Sequence, residues 1–153
     1  MSAATEEAFK IAGDAFKRGD KLAGVPTGFA DLDKAVGGMH RSDLVILAGR
    51  PSMGKTAMAV NIACNAAENG KSVGFFSLEM AQEQLASRVL AGESGIPADW
   101  VRRADLNQKH FDKLLEAKRR TDGLPLHIDD EPGLSVAAMH ARARRLKRQH
   151  GLI

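Results

Sequence analysis

The octapeptide at residues 49–56 constrains this chain more than any other feature of its sequence. Its residues, GRPSMGKT, fit the pattern GxxxxGK[ST] at every defined position. A loop of this kind wraps its backbone N–H groups around a phosphate, and the helix that follows points the positive end of its dipole at the same anion. The octapeptide therefore predicts a phosphate-binding loop between a strand and a helix.

The flanking segments have the character that such a loop requires. Residues 44–48 (LVILA) are apolar without alternation, which predicts a strand buried on both faces of a parallel sheet. Residues 55–69 are apolar and rich in alanine, which predicts a helix that ends at Gly70. Residues 73–78 predict a second strand. Strand, helix and strand together indicate an α/β protein with a parallel sheet and flanking helices.

The rest of the chain continues the alternation of helices and strands. We predict helices over residues 82–91, 97–100 and 107–120, a strand over 126–128, and a last helix that begins at Ser135 and ends at Gly151. Asn107 and Ser135 have the side chains of helix N-caps. The apolar Leu152 and Ile153 follow the last helix. We expect a further strand to begin there, and the chain to be part of a longer protein.

The N-terminal residues have a different organisation. Residues 6–18 place Phe9 and Phe16 on one stripe, which predicts a short amphipathic helix. A linker with two glycines and a proline follows, and the α/β domain is expected to begin near Thr27. Counting the linker with the domain that follows it, we divide the chain into a linker-type helix at residues 1–19 and an α/β domain at residues 20–153.

Composition limits the class of protein. The 153 residues are 44% hydrophobic, which fits one compact domain and excludes a disordered chain. Cys64 is the single cysteine, so no internal disulfide can form, and we expect it in the core. No apolar run is long enough to cross a membrane, and the N-terminus lacks a secretory signal. We expect a cytoplasmic protein.

The loop also predicts a ligand. The amine of Lys55 suits the β- and γ-phosphates of a nucleoside triphosphate, and the hydroxyl of Thr56 suits Mg²⁺. ATP and Mg²⁺ are therefore the expected ligands. The predicted binding residues are Gly49, Arg50, Pro51, Ser52, Met53, Gly54, Lys55, Thr56 and Ala57.

Two acidic positions are candidates for chemistry. Glu79 follows the second predicted strand, where a carboxylate can orient or deprotonate an attacking water. Alternatively, it is an acid in the first turn of the next helix. Asp129 follows the third predicted strand and is a possible Mg²⁺ ligand, but Pro125 and His127 interrupt the apolar run before it.

The last predicted helix carries a basic cluster with two interpretations. Arginine and lysine dominate residues 142–148, and the formal net charge of the chain is +3. The cluster is compatible with nucleic-acid contact. A solvated or subunit-facing helix surface near a negative helix end explains the same charges, and we favour it over direct DNA contact.

Several stretches, in order along residues 20–153, together resemble the motor domain of the bacterial DnaB-type replicative DNA helicase. They are GVPTGF at 24–29, DLD at 31–33, SDL at 42–44, RPSMGKT at 50–56, FSLEM at 76–80 and ARARR at 141–145. The resemblance implies a RecA-like P-loop NTPase fold. It also implies a hexameric ring that hydrolyses ATP between subunits, moves 5′ to 3′ along single-stranded DNA and unwinds the duplex.

The resemblance assigns roles to individual residues and partners. Lys55 and Glu79 become catalytic residues, Thr56 becomes the Mg²⁺ ligand, and the helix around Phe9 resembles the linker helix that docks on an adjacent subunit. Primase and a helicase loader are implied partners. The family's Walker B strand, its DNA-binding loops and its basic finger are expected beyond Ile153, so we expect the isolated chain to be inactive.

Two other hypotheses remain open from the sequence. The chain could bind nucleotide without hydrolysing it and act as an interaction module. It could also be a RecA-, RadA- or KaiC-like ATPase, since such proteins share the phosphate loop, although the SLEM segment at residues 77–80 argues against them.

Overall fold

The computed structural model describes residues 5–6, 9–10, 13 and 22–152. The chain divides into two compact units, Met1–Ile46 and Leu47–Ile153. Most of the helix predicted over residues 6–18 lies outside the described residues, so that helix stays a prediction. The predicted domain boundary near residue 20 also stays a prediction.

The first unit contains a short helix that the sequence pattern does not predict. Helix α1 spans Ala30–Val36 and ends at Gly37, whose left-handed conformation (φ 73°) suits glycine. Asp33 is buried in it and accepts hydrogen bonds from the backbone N–H and the hydroxyl of Thr27. Two turns of helix are too few to display an apolar period, so the carboxylate and not the periodicity fixes this segment.

The second unit contains a two-stranded parallel sheet with helices around it. Strand β1 (Val73–Phe76) pairs with β2 (Leu126–Asp129), and Val73 lies opposite Leu126. The helices of this unit are α2 (Lys55–Glu68), α3 (Gln82–Ser94), α4 (Ala98–Arg103), α5 (Gln108–Thr121) and α6 (Val136–His150). The connection from β1 to β2 runs through α3, α4 and α5, as a parallel pair requires. These elements confirm the predicted α/β class.

The predicted helix caps are confirmed. The side chain of Asn107 accepts a 2.9 Å hydrogen bond from the N–H of His110 at the start of α5. The hydroxyl of Ser135 accepts one of 3.2 Å from the N–H of Ala138 at the start of α6. Gly151 ends α6 in a left-handed conformation.

The core of this unit lies where α2 and α3 cover the sheet. Val60, Cys64 and Leu85 are buried together, and partly buried apolar side chains pack against them, namely Phe75, Met80, Val89, Leu126 and Ile128. Burial raises the pKa of the Cys64 thiol to about 11. Cys64 is therefore an inert core residue, as the sequence predicts.

The prediction of a strand over residues 44–48 is wrong. This segment has no strand conformation, and Leu44 and Ile46 are 85% and 78% exposed. A strand needs a neighbour that completes its backbone hydrogen bonds, and among the described residues β1 pairs only with β2. Apolar character alone therefore does not form a strand here.

None of the described helices is both long enough and apolar enough to cross a membrane.

Candidate functional site

The phosphate loop has the backbone geometry of an anion site. Ser52 and Gly54 adopt left-handed conformations (φ 64° and 84°), and the N–H of Met53 donates a 3.3 Å hydrogen bond to the carbonyl of Arg50. Alternation of left- and right-handed conformations turns successive N–H groups toward one concavity. Met53, between Ser52 and Gly54, lies outside the left-handed region, so the loop has this alternation.

Helix α2 begins at this loop without a competing anion. Gly54 is its N-cap, no side chain caps the helix, and its first turn contains no acidic residue. The first N–H groups of a helix have no intrahelical acceptor and carry the positive end of its dipole. The start of α2 can therefore receive a phosphate without displacing a carboxylate.

The amine of Lys55 lies over the loop. Its Nζ donates hydrogen bonds to the carbonyl oxygens of Gly49 at 3.0 Å and Arg50 at 3.4 Å. Neutral carbonyls are weaker partners for an ammonium group than a phosphate oxygen is. Lys55 is placed to exchange these contacts for an anion bound in the same loop.

A cavity of about 410 Å³ opens on the loop. It is lined by Leu47, Ala48, Gly49, Arg50, Met53, Gly54, Lys55 and Met58. Its volume lies within the usual range for small-molecule sites. The structure thus places many of the predicted binding residues around one cavity. Pro51, Ser52, Thr56 and Ala57 belong to the same segment without lining it, and Glu79 is not among the lining residues.

Glu79 is exposed and lies in the segment between β1 and α3. Helix α3 begins at Gln82 after the N-cap Ala81, and the acid in its first turn is Glu83. Glu79 is therefore not an acid of that first turn, which removes the helix-dipole alternative for its role. The side chain of the next residue, Met80, packs against the core and anchors the segment.

Asp129 is held by an ion pair within the chain. Nη1 of Arg142 donates 2.9 Å hydrogen bonds to both carboxylate oxygens of Asp129, and Nη2 donates to Glu131 at 3.3 Å. The hydrogen bond from Arg142 lowers the pKa of Asp129 and is the main cause of the shift. Since its charge is already compensated, Asp129 is a poor Mg²⁺ ligand. Across the described ranges, no group of three His, Cys, Asp or Glu side chains is placed to hold a metal ion.

In the sequence, Arg142 stands out only as a member of the basic cluster, and its pairing with Asp129 is not apparent. A signal exists, because Arg142 lies three residues after Met139 and four before Leu146 on the apolar face of α6. A charged side chain on that face needs a partner on the sheet. Asp130, whose carboxylate accepts a 2.7 Å hydrogen bond from the N–H of Gln82, was also missed.

Comparison with known proteins decides the family. Residues 24–153 match the family described as DnaB-like helicase C terminal domain. The chain belongs to this family. It is 44% identical to the replicative DNA helicase DnaB of Rickettsia bellii (strain RML369-C) over 149 residues, which cover 90% of this chain and 30% of that protein.

Solved structures agree with the DnaB-like assignment. One solved ATPase domain superposes with a TM-score of 0.85 at 32% identity, over 94% of this chain and 52% of the other. A DnaB-like replicative helicase studied with primase gives a TM-score of 0.84 at 32% identity, over 94% of this chain and 35% of the other. The RecA-like fold is therefore confirmed. The family match favours the DnaB-type hypothesis over the RecA-, RadA- and KaiC-like alternatives.

Proposed function

We propose that this DnaB-like chain is the ATP-binding part of a replicative helicase motor. The observation that carries the proposal is the start of α2, where a loop with two left-handed residues delivers an uncapped helix N-terminus beside the amine of Lys55. This arrangement offers backbone donors, a helix dipole and a mobile cation to one polyphosphate.

The residues divide the work in this proposal. The backbone of residues 49–57 holds the phosphates, and Lys55 compensates the charge on the β- and γ-phosphates. The Thr56 hydroxyl would hold Mg²⁺, which when bound compensates the remaining phosphate charge. Glu79 orients and deprotonates the attacking water.

The wider activity belongs to a longer protein that carries this segment, since the chain spans 30% of the length of the Rickettsia relative. We propose that this protein forms a hexameric ring, moves 5′ to 3′ on single-stranded DNA and unwinds the duplex. Primase is a proposed partner, because one of the structurally similar helicases interacts with primase. A helicase loader is a second proposed partner, and the cytoplasm is the proposed location.

Two substitutions test the division of labour. Lys55→Ala should weaken ATP binding at least about tenfold, because it removes the cation that faces the phosphates. Glu79→Gln should change the ATP affinity of the chain less than about threefold and should abolish turnover in the complete helicase. Lys113→Ala, on an exposed position of α5, is the control and should leave both unchanged.

Calorimetry and thermal unfolding with Mg²⁺ and ATP provide the measurements. Saturating ATP, at roughly 100 times Kd, should stabilise the wild-type chain by about 2.7 kcal/mol. Equal loss of binding in Lys55→Ala and Glu79→Gln would contradict the proposed roles. Nucleotide binding without turnover in the complete protein would support the interaction-module hypothesis instead.

A further inference from the structure

The segment that carries Glu79 is held to the end of strand β2 at its first residue. The N–H of Ser77 donates a 2.9 Å hydrogen bond to the carbonyl of Asp129. The Ser77 hydroxyl, on a residue that is 8% exposed, donates to the carbonyl of Met80 at 2.6 Å and accepts from its N–H at 3.2 Å. The turn that contains Glu79 is therefore closed around a buried hydroxyl.

The far end of the same segment is held from β2 as well. Helix α3 begins at Gln82, and its N-cap Ala81 has no side chain that can accept a hydrogen bond. Oδ2 of Asp130 accepts a 2.7 Å hydrogen bond from the N–H of Gln82, across 48 residues of sequence. A carboxylate at this position satisfies a helix N–H and favours the positive helix end. Asp130 thus does for α3 what an N-cap residue does in other helices.

The residues on both sides of Asp130 are fixed in turn. Arg142 binds Asp129 and Glu131, and the N–H of Glu131 donates a 3.3 Å hydrogen bond to Oδ1 of Asp129. One arginine from α6 therefore holds the acids before and after Asp130. This leaves the backbone at Asp130 little freedom to move relative to β2.

We propose that Asp130 is a positioning residue for Glu79. Its hydrogen bond to Gln82 fixes the start of α3 against the end of β2, and so sets the place of Glu79 three residues earlier. Asp130 does not touch the nucleotide and acts only through Glu79. The inference rests on the proposed function, in which Glu79 activates the water.

The contact can be broken from either side in the complete helicase that carries this chain. Asp130→Ala removes the acceptor, and Gln82→Pro removes the donor. Proline is tolerated at the first position of a helix, and Ala81 already has the extended conformation (φ −67°, ψ 152°) that a following proline requires. Asp130→Asn keeps an acceptor oxygen and should restore function.

Steady-state ATP turnover separates positioning from binding. We expect Asp130→Ala and Gln82→Pro each to lower kcat by about tenfold or more, with KM for ATP changed less than about twofold. The double variant should be no slower than either single variant, because both remove one contact. Asp130→Asn should stay within about threefold of the wild-type kcat.

Two controls match the chemistry of the variants. Asp105→Ala removes an exposed loop acid, and Val136→Pro places proline at the first position of α6, where Val136 is 84% exposed. Both should keep the wild-type kcat. Hydrogen exchange at the Gln82 amide should accelerate in Asp130→Ala and not in Asp130→Asn. This difference would show that the hydrogen bond itself is lost in a protein that remains folded.

The outcomes separate this inference from the proposed function. If Glu79→Gln abolishes turnover while Asp130→Ala and Gln82→Pro leave kcat unchanged, the positioning role is wrong and the proposed function stands. A rise in KM without a fall in kcat would also overturn it, because the contact would then serve binding. If Glu79→Gln retains turnover, the proposed function itself fails.

Discussion

Asp33 accepts two 2.8 Å hydrogen bonds from one residue, through the backbone N–H and the hydroxyl of Thr27. A third hydrogen bond, of 3.2 Å, comes from the N–H of Gly28. The bond from the Thr27 backbone is the main cause of a lowered pKa for Asp33. One carboxylate thus closes the turn that leads into α1.

Replacing this carboxylate should open the turn. We expect Asp33→Ala to accelerate hydrogen exchange of the peptide covering residues 22–39 at least about tenfold, since three donors lose a charged acceptor. Asp31→Ala, which removes an exposed acid from the same helix turn, is the control and should change exchange little. Because the folded pKa is lowered, protection should be complete from neutral pH down to the usual aspartate pKa of about 3.9 and be lost as the pH falls from that value through the folded pKa. Protection already lost near pH 5 would contradict this.

The core depends on Leu85, which is 1% exposed. We expect Leu85→Ala to lower the free energy of unfolding by about 2–5 kcal/mol, because it leaves a cavity between α3 and the sheet. Urea denaturation followed by the fluorescence of Trp100 measures the change. Leu115→Ala, at a position that is 42% exposed, should lower the free energy of unfolding by less than half as much. Equal losses in the two variants would show that the core lies elsewhere.

The start of α6 depends on the Ser135 hydroxyl. Ser135→Ala should destabilise the protein by about 1 kcal/mol, because the N–H of Ala138 loses its acceptor. Ser135→Asp should retain the stability of the wild-type protein, because its carboxylate can also cap the helix. Ser87→Ala tests a hydroxyl inside α3 that donates a hydrogen bond to the carbonyl of Glu83, and it should change stability by less than about 0.5 kcal/mol. The same urea titration distinguishes the three variants, and an inert Ser135→Ala would refute the cap.

The rings of His127 and His150 are stacked, with centroids 3.8 Å apart. Burial, and then the charge of His150, lower the pKa of His127. The folded state therefore favours neutral His127. Its stabilising contribution is complete above the usual histidine pKa of about 6.5 and declines as the pH falls from that value through the lower pKa of the folded form.

His127→Phe should reduce this pH dependence. We expect its Tm to fall less than the wild-type Tm between about pH 7.5 and about pH 5, because phenylalanine can stack on His150 without titrating. His140→Gln, at an exposed position of α6, should retain the wild-type decrease. Identical decreases in all three proteins would assign the pH dependence to other groups.

Local sequence predicts the parts of this protein that neighbouring residues create. The phosphate loop needs only its own glycines and the helix that follows it, and the caps at Asn107 and Ser135 need only the next helical turn. The roles of Lys55 and Thr56 could be proposed from spacing for the same reason. The family resemblance drawn from these segments is confirmed by the match over residues 24–153.

Contacts between residues far apart in the chain could not be predicted from local sequence patterns. An apolar run predicted a strand over residues 44–48, but a strand forms only beside a partner, and pairing is not encoded in the run itself. The identity of the Mg²⁺ acid could not be chosen from position either. Arg142 had to be placed against Asp129 by α6 before that carboxylate could be seen as occupied.

The sequence by itself determined the class of fold, the caps that begin α5 and α6 and the glycine that ends α6, because these follow from short-range periodicity and from backbone groups a few positions apart. Only the tertiary structure decided which acids are neutralised, which segment stays unpaired and what holds the turn around Glu79. Those features depend on hydrogen bonds such as the one between Gln82 and Asp130, whose partners meet only after the chain has folded.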